Sequence, residues 1–257
     1  MKYRFIDLFA GAGGLSEGFI RAGYEPIAHI EMDHYACDSL KTRAAFHYLK
    51  ENGKLEIYEE YLKNKKEKTD GSWLWNQVPK SVIDSVIQEA IGKETLPSLF
   101  ERVDKLCNGK PVDMIIGGPP CQAYSVAGRA RLGKKIEEDP RNDLYKFYVE
   151  FLKRYKPKMF VFENVLGIFT AKGGEPFRDL IRLVRELDYN IDFREQIASQ
   201  HGVLQKRHRV IIVGWQNKRD TQEDTSYHYP YLLEEQMPYK MMRDLFCDLF
   251  TKINIII

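Results

Sequence analysis

Apolar positions along the chain fall into short runs separated by stretches with helical spacing. Tyr3 to Phe9 is a short, largely apolar run that carries Asp7, and it reads as a buried parallel strand. The run ends in Ala10-Gly11-Ala12-Gly13-Gly14, after which Leu15 to Ala22 has helical spacing. Pro26 to Ile30 is a second strand, closed by Glu31-Met32-Asp33 and followed by a helix through about His47. The rhythm breaks between about residues 50 and 110, where Val82-Ile83, Val86-Ile87 and Ala90-Ile91 fit a helical stripe. It resumes with strands at Val112 to Ile116 and Met159 to Phe162 and helices at Leu144 to Tyr155 and Phe177 to Leu187. Further strands are expected at Asn190 to Gln196 and Val210 to Gly214. Strands alternating with helices predict an α/β fold built on a mainly parallel sheet with helices on both faces.

Composition narrows the class. The chain has 257 residues, 44% of them hydrophobic and 30% charged, enough apolar material for a substantial core. Lys plus Arg is 39 against 37 Asp plus Glu, a net charge of +2, which excludes a globally basic nucleic-acid coat but not a local basic face. The four cysteines form no CxxC pair, so neither a disulfide scaffold nor a zinc ribbon is expected, and no metal site is. No apolar run approaches the ~20 residues of a membrane span. With no signal peptide in view, the expectation is a soluble, cytoplasmic protein without a membrane partner. The segment from about 50 to 110 reads as an insertion in the core, with a lysine-rich stretch from Lys63 to Lys68 as a solvated face. Trp73 and Trp75 are expected to form a local core.

Four places carry candidate chemistry. Glycines directly after a strand let the backbone approach a ligand and leave helix N–H groups free. Glu31, at the end of the next strand, can accept both hydroxyls of a ribose, so strand, glycine turn, helix, strand and acid form a nucleotide-binding unit. The register Phe9-Ala10-Gly11-Ala12-Gly13-Gly14 departs from G-x-G-x-x-G, and the loop alone leaves NAD as a competitor. Next, Gly117-Gly118-Pro119-Pro120-Cys121-Gln122 puts a cysteine on a stiff loop at the carboxyl end of a parallel sheet, where ligands bind in open α/β folds. Two prolines fix φ and help hold a nucleophile in attack geometry. Third, Glu163 ends the apolar strand Met159 to Phe162, where a carboxylate needs a partner or a function. Fourth, alternation before Val210 puts Arg207 and Arg209 on one face.

The ordered blocks FIDLFAGAGG, IEMD, GGPPCQAYS, FVFENVLG and QKRHRVIIVG resemble the DNA (cytosine-5)-methyltransferase family over about Lys2 to Gly214. The resemblance implies a Rossmann-like S-adenosylmethionine-dependent methyltransferase fold, acting on double-stranded DNA in a restriction-modification system. Carried over residue by residue, it makes Cys121 the nucleophile on carbon 6 of a flipped-out cytosine and Glu163 the partner of ring nitrogen 3. Arg209 would contact the cytosine carbonyl oxygen, and Arg207 would support the same corner. Phe9, Gly11, Gly13 and Gly14 would line the S-adenosyl-L-methionine pocket, Glu31 would hold the ribose, and Met32 would pack on the adenine. Pro119 and Leu144 would touch the cofactor from the other side. Gln122, Ser125, Arg129 and Arg131 would close over the DNA, the basic loop suiting phosphate contacts.

The resemblance is incomplete in three places. The family's acidic block for the adenine amino group is not recognisable, with Asp104 and Asp113 as candidates. Leu204 stands where the family commonly has proline or arginine. Residues 1–230 read as the catalytic domain and 231–257 as a tail too short for a target-recognition domain, so a second chain is expected to supply one and the chain alone to have weak activity or none on specific DNA. Three other readings stay open: a tRNA cytosine methyltransferase of the same family, an NAD-dependent enzyme, and a non-catalytic subunit or fragment of a split enzyme.

Overall fold

The expected strand at the amino terminus is β1 (Arg4–Leu8), and Phe5, Ile6 and Leu8 are inaccessible to solvent. A five-residue run can be buried on both sides only where helices cover both faces of the sheet. The computed structural model describes residues 2–64, 71–120 and 143–216. From β1 the chain passes through α1 (Gly14–Arg21) to β2 (Glu25–Glu31), then through α2 (His34–Glu51) and the short helices α3 (Leu55–Lys63), α4 (Ser72–Trp75) and α5 (Lys80–Asp84). It continues as β3 (Val86–Gln88), α6 (Leu96–Cys107), β4 (Met114–Gly117), α7 (Leu144–Tyr155), β5 (Met159–Asn164), α8 (Glu175–Glu186), β6 (Tyr189–Ile197) and β7 (His208–Gln216).

These strands form one seven-stranded sheet in the order β3-β2-β1-β4-β5-β7-β6. The neighbours from β3 to β5 pair in parallel, and β7 runs antiparallel between β5 and β6. The order turns around between β1 and β4: the chain goes outward to β3 and then returns to the other side of β1. Open α/β sheets bind ligands at such a point, beyond the carboxyl ends of the strands.

One face packs Ile6, Leu8, Ile115, Phe160 and Phe162 against Leu99 and Val103 of α6, Tyr148 and Leu152 of α7, and Leu180 and Val184 of α8. The Tyr148 hydroxyl is buried between the carbonyls of Ile115 and Val161, at 3.0 and 3.1 Å, so α7 brings a buried polar group to acceptors on β4 and β5. The opposite face sets Phe5, Met114 and Ile116 against Leu15, Phe19 and Ile20 of α1.

The helical stripe expected across Val82 to Ile91 is not one helix. Residues 80–84 are helical, but Val86 and Ile87 form a strand hydrogen-bonded in parallel to β2, opposite His29 and Ile30. Apolar pairs spaced four apart mimic helical periodicity, and pairing at the sheet edge overrides it. The segment read as an insertion therefore contains both a strand of the sheet and α6, whose Leu99 and Val103 are fully buried. Trp73 and Trp75 do pack as a local core, with Leu74 and Tyr61 against Ala45 and Leu49 of α2.

The helices α1 and α2 are joined by charge. Glu17 receives His47 Nε2 at 2.9 Å and Arg21 Nε at 2.7 Å, and it pairs with Arg43 as well. Burial alone would raise the Glu17 carboxyl, but the hydrogen bonds from His47 and Arg21 and the Arg43 charge outweigh it, bringing the pKa down to about 2. A depressed carboxylate contributes stability that is present above its unfolded value and lost as pH falls toward its folded value. Glu17→Gln should therefore destabilise the chain by about 2 kcal/mol near pH 7 in chemical denaturation. The gap to wild type should narrow as pH falls from about 5 toward 2, because the wild-type carboxylate is then being protonated. A gap that stays constant over that range would contradict the assignment.

Candidate functional site at the carboxyl edge of the sheet

Two clusters occupy the carboxyl edge, one on each side of the turnaround between β1 and β4. The first is built on the ends of β1 and β2. Leaving β1, the backbone enters the left-handed region at Phe9 (φ 56°), and Gly13 (φ 83°) then caps α1. A Cβ at Gly13 would come within 2.9 Å of Leu40, so glycine is required there by conformation and by the close approach of α2. At Gly11 and Gly14 an added Cβ would meet nothing within 4 Å, so the outer side of the loop faces open space.

Glu31 holds this cluster together. Its Oε2 accepts the Gly11 N–H at 2.8 Å, and its Oε1 accepts the N–H groups of Met32 and Asp33, both at 2.9 Å. The carboxylate is thereby fixed at the mouth of the glycine turn by three backbone donors. Beside it, Met32 is 65% exposed and Tyr35 79%, an uncovered apolar shelf at the start of α2. Asp33 caps that helix by accepting the Ala36 N–H at 2.8 Å.

The strand missed in the sequence adds to this side. Glu89, directly after β3, donates its N–H to the Glu31 carbonyl at 2.9 Å, and the Gln88 side chain lies 3.5 Å from His34. Gln88 and Glu89 are thus the polar side chains at the strand end next to Glu31. Asp104 and Asp113, the candidates read from the sequence, are engaged elsewhere. Asp104 pairs with Arg154 and the Tyr155 hydroxyl, and Asp113 accepts from the Arg4 backbone and from Lys158 at the amino end of the sheet. The missed signal was an acid just after a two-residue β-branched run, hidden by the helical spacing around it.

The second cluster lies at the ends of β4, β5 and β7. Glu163 sits on β5 opposite Ile211 of β7, and its Oε1 accepts Arg209 Nε at 2.6 Å. Arg207 approaches the same oxygen at 4.0 Å and is half exposed. The two arginines do share a face, as alternation predicted, while His208 points to the other side and meets Glu195 of β6. Gly118 is the notch that seats the acid. A Cβ there would lie 2.7 Å from both the Glu163 carboxylate and its carbonyl oxygen. Asn164, 1% exposed, donates its amide to the Pro119 carbonyl at 3.3 Å and accepts the Val165 N–H at 2.9 Å. This buried amide straps β5 to the segment leaving β4, a role its neighbour Glu163 obscured in the sequence.

Pro119 thus lies at the second cluster, and Leu144 is half-buried at the start of α7. Cys121, Gln122, Ser125, Arg129 and Arg131 lie outside the described residues, as do the Lys65–Lys68 part of the lysine stretch and residues 217–257. Among the described residues no group of three or more His, Cys, Asp or Glu side chains is placed to hold a metal ion, and no helix is long and apolar enough to cross a membrane.

Known proteins are similar to this chain in sequence and in fold. The sequence profile of the C-5 cytosine-specific DNA methylases matches residues 3–66 and 98–252. The type II methyltransferase M.Bpa9945I of Bacillus paralicheniformis is 33% identical, covering 95% of this chain and 60% of its own. M.FnuDI of Fusobacterium nucleatum, also a type II methyltransferase, is 32% identical over 96% of this chain and 55% of its own. The chain thus spans little more than half the length of these relatives. Among solved structures, a chain described as a DNA modification methyltransferase encoded within a prophage (E. coli) superposes with a TM-score of 0.54 at 27% identity, covering 84% of this chain and 47% of its own. The Entamoeba histolytica methyltransferase EhMeth shares the fold at a TM-score of 0.54 and 17% identity, covering 92% of this chain and 58% of its own. With the profile matched on both sides of the β3 region and the two clusters at the carboxyl edge of the sheet, the chain belongs to the C-5 cytosine-specific DNA methylase family.

Proposed function

We propose that the chain carries the catalytic site of a DNA (cytosine-5)-methyltransferase that uses S-adenosyl-L-methionine and forms a covalent cysteine adduct with a flipped-out cytosine. The observation that carries the reading is the pairing of Glu163 with Arg209 beside the Gly118-Pro119 segment that leads to Cys121. The family is common to this chain and to relatives named type II methyltransferases, and a restriction-modification role on duplex DNA follows from theirs.

The first cluster fits the cofactor. Glu31, already oriented by three backbone donors, would accept the ribose hydroxyls, the open side of Gly11 and Gly14 would leave room for the amino-acid part, and Met32 would meet the adenine. Gln88 or Glu89 would reach the adenine edge, a place for which the sequence motifs supply no residue. Held there, S-adenosylmethionine supplies an electrophilic methyl group. The protein's own residues prepare the acceptor. The Cys121 thiolate would add to carbon 6, breaking the 5,6 double bond and pushing electron density onto carbon 5 and the ring. Glu163, in its protonated form, would donate its proton or a hydrogen bond to nitrogen 3 and so spread that charge, and Arg209 would stabilise it at the carbonyl oxygen. After methyl transfer, loss of the carbon-5 proton would expel the cysteine and restore the ring. A stacked, paired cytosine is out of reach of such a site, so the base must first leave the helix, as it does in DNA methyltransferases generally.

Trapping on DNA containing 5-fluorocytosine tests this directly, because fluorine at carbon 5 cannot leave as a proton and the adduct persists. The full chain with S-adenosylmethionine should give a denaturation-stable adduct that Cys121→Ser abolishes, and Glu163→Gln should slow its formation ~100-fold or more. No adduct with duplex DNA alongside efficient methylation of tRNA would move the substrate to RNA. Adduct at a defined duplex sequence by the chain alone would remove any need for a second, target-recognising chain. Asn164→Ala should cost about 1–3 kcal/mol in chemical denaturation through the loss of its two hydrogen bonds, and an unchanged stability would contradict the strap.

A further inference from the structure

Asp7 is the acid inside the first apolar run, and nothing in the proposed chemistry uses it. It is 1% exposed, on β1, and directly opposite His29 of β2, which is 3% exposed. His29 Nδ1 lies 3.4 Å from Asp7 Oδ2. The third member is Ser16, 2% exposed in the first turn of α1. Ser16 Oγ donates to the Gly13 carbonyl at 3.2 Å, and Asp7 Oδ1 is left with no hydrogen-bond partner. A buried acid and imidazole at the centre of a sheet are unfavourable unless they do something that apolar residues cannot.

Their place in the strands indicates what that is. Side chains two apart on a strand share a face at a spacing of about 7 Å. His29 therefore lies one repeat below Glu31 on β2, and Asp7 lies two residues before the left-handed Phe9 that opens the glycine turn. Two polar links are in place here, His29 to Asp7 and Ser16 to the carbonyl of Gly13, the residue whose left-handed conformation starts α1. Burial pushes the Asp7 carboxyl above the usual carboxylate range, while His29 and Ser16 pull against that rise and Glu31 adds to it. His29 and Ser16 also line a cavity of about 400 Å³ between α1, α2 and α5, on the helical side and away from the carboxyl edge.

We propose that Asp7, His29 and Ser16 are positioning residues for the cofactor: a buried polar group behind the glycine turn that fixes it relative to Glu31. The proposal rests on the reading of the first cluster as the S-adenosylmethionine site. It assigns none of the three a contact with the ligand. Their effect is exerted through the conformation of Gly11 to Gly14 and the distance of that turn from the ribose-binding carboxylate.

Calorimetric titration of the full chain with S-adenosylhomocysteine, beside ¹⁵N spectra of the histidine rings, tests it. Ligand should shift the His29 ring signals of the wild type although His29 does not touch it. Ser16→Ala and Asp7→Asn should each weaken binding about tenfold, and Ser16→Ala should remove the ligand-induced His29 shift. Val184→Ala, a buried change in α8 far from the network, should lower the melting temperature but leave affinity and His29 shift intact. The proposal is overturned by binding within twofold of wild type in both polar variants, by His29 signals that ignore the ligand, or by an equal loss of affinity in Val184→Ala. A wild-type chain that binds no S-adenosylhomocysteine would instead refute the cofactor reading itself, and the network's role with it.

Discussion

A carboxylate at the end of a parallel strand has to be satisfied by whatever the chain brings beside it, and Glu31 is satisfied by backbone alone. Its two oxygens take N–H groups from Gly11, Met32 and Asp33. The first belongs to the turn after β1 and the other two to the entry of α2. Charge-assisted bonds to backbone donors are among the stronger polar contacts a protein makes. One side chain therefore links the turn after β1 to the entry of α2, on one side of the switch in strand order. The left-handed Phe9 and Gly13, the cap at Asp33 and the exposure of Met32 are all arranged around it.

The other side of the switch works by a different means. There β7, antiparallel to β5, brings Arg209 across to Glu163 and keeps the acid ionically paired where the apolar strand ends. The absence of a side chain at Gly118 gives that acid its seat, and the buried amide of Asn164 holds the neighbouring Pro119. The two clusters thus share one scaffold but are fixed independently: the first by a carboxylate on backbone donors, the second by an ion pair in a glycine notch. In the proposed reaction a bound donor and a flipped base would both have to be held at one edge, and β1 and β4, which are adjacent and in register, would set that spacing.

Much of this was legible because the signals were local. The glycine turn, the acid after β2, Glu163 at the end of its apolar strand and the paired arginines all lie within a few residues of the strand that presents them. What was hidden depended on partners far along the chain. The strand β3 is three residues long, and its flanking apolar pairs repeat every four positions, so only its pairing with β2 identifies it. Losing β3 also hid Gln88 and Glu89, and left Asp104 and Asp113 as candidates although both are engaged elsewhere. Asn164 and Gly118 escaped notice because their roles are contacts between β4 and β5, with no pattern of their own in the sequence. Asp7 stood out as an acid in an apolar run, but its partner His29 comes from the next strand.

Whether the Glu31 cluster holds a cofactor is decided by a crystal structure of the full chain soaked with S-adenosylhomocysteine. Ribose hydroxyls on the Glu31 carboxylate, adenine between Met32 and the end of β3, and the amino-acid part over the glycine turn are the expected result. Ligand seated instead in the cavity behind His29 and Ser16, with the Glu31 carboxylate untouched, would contradict it.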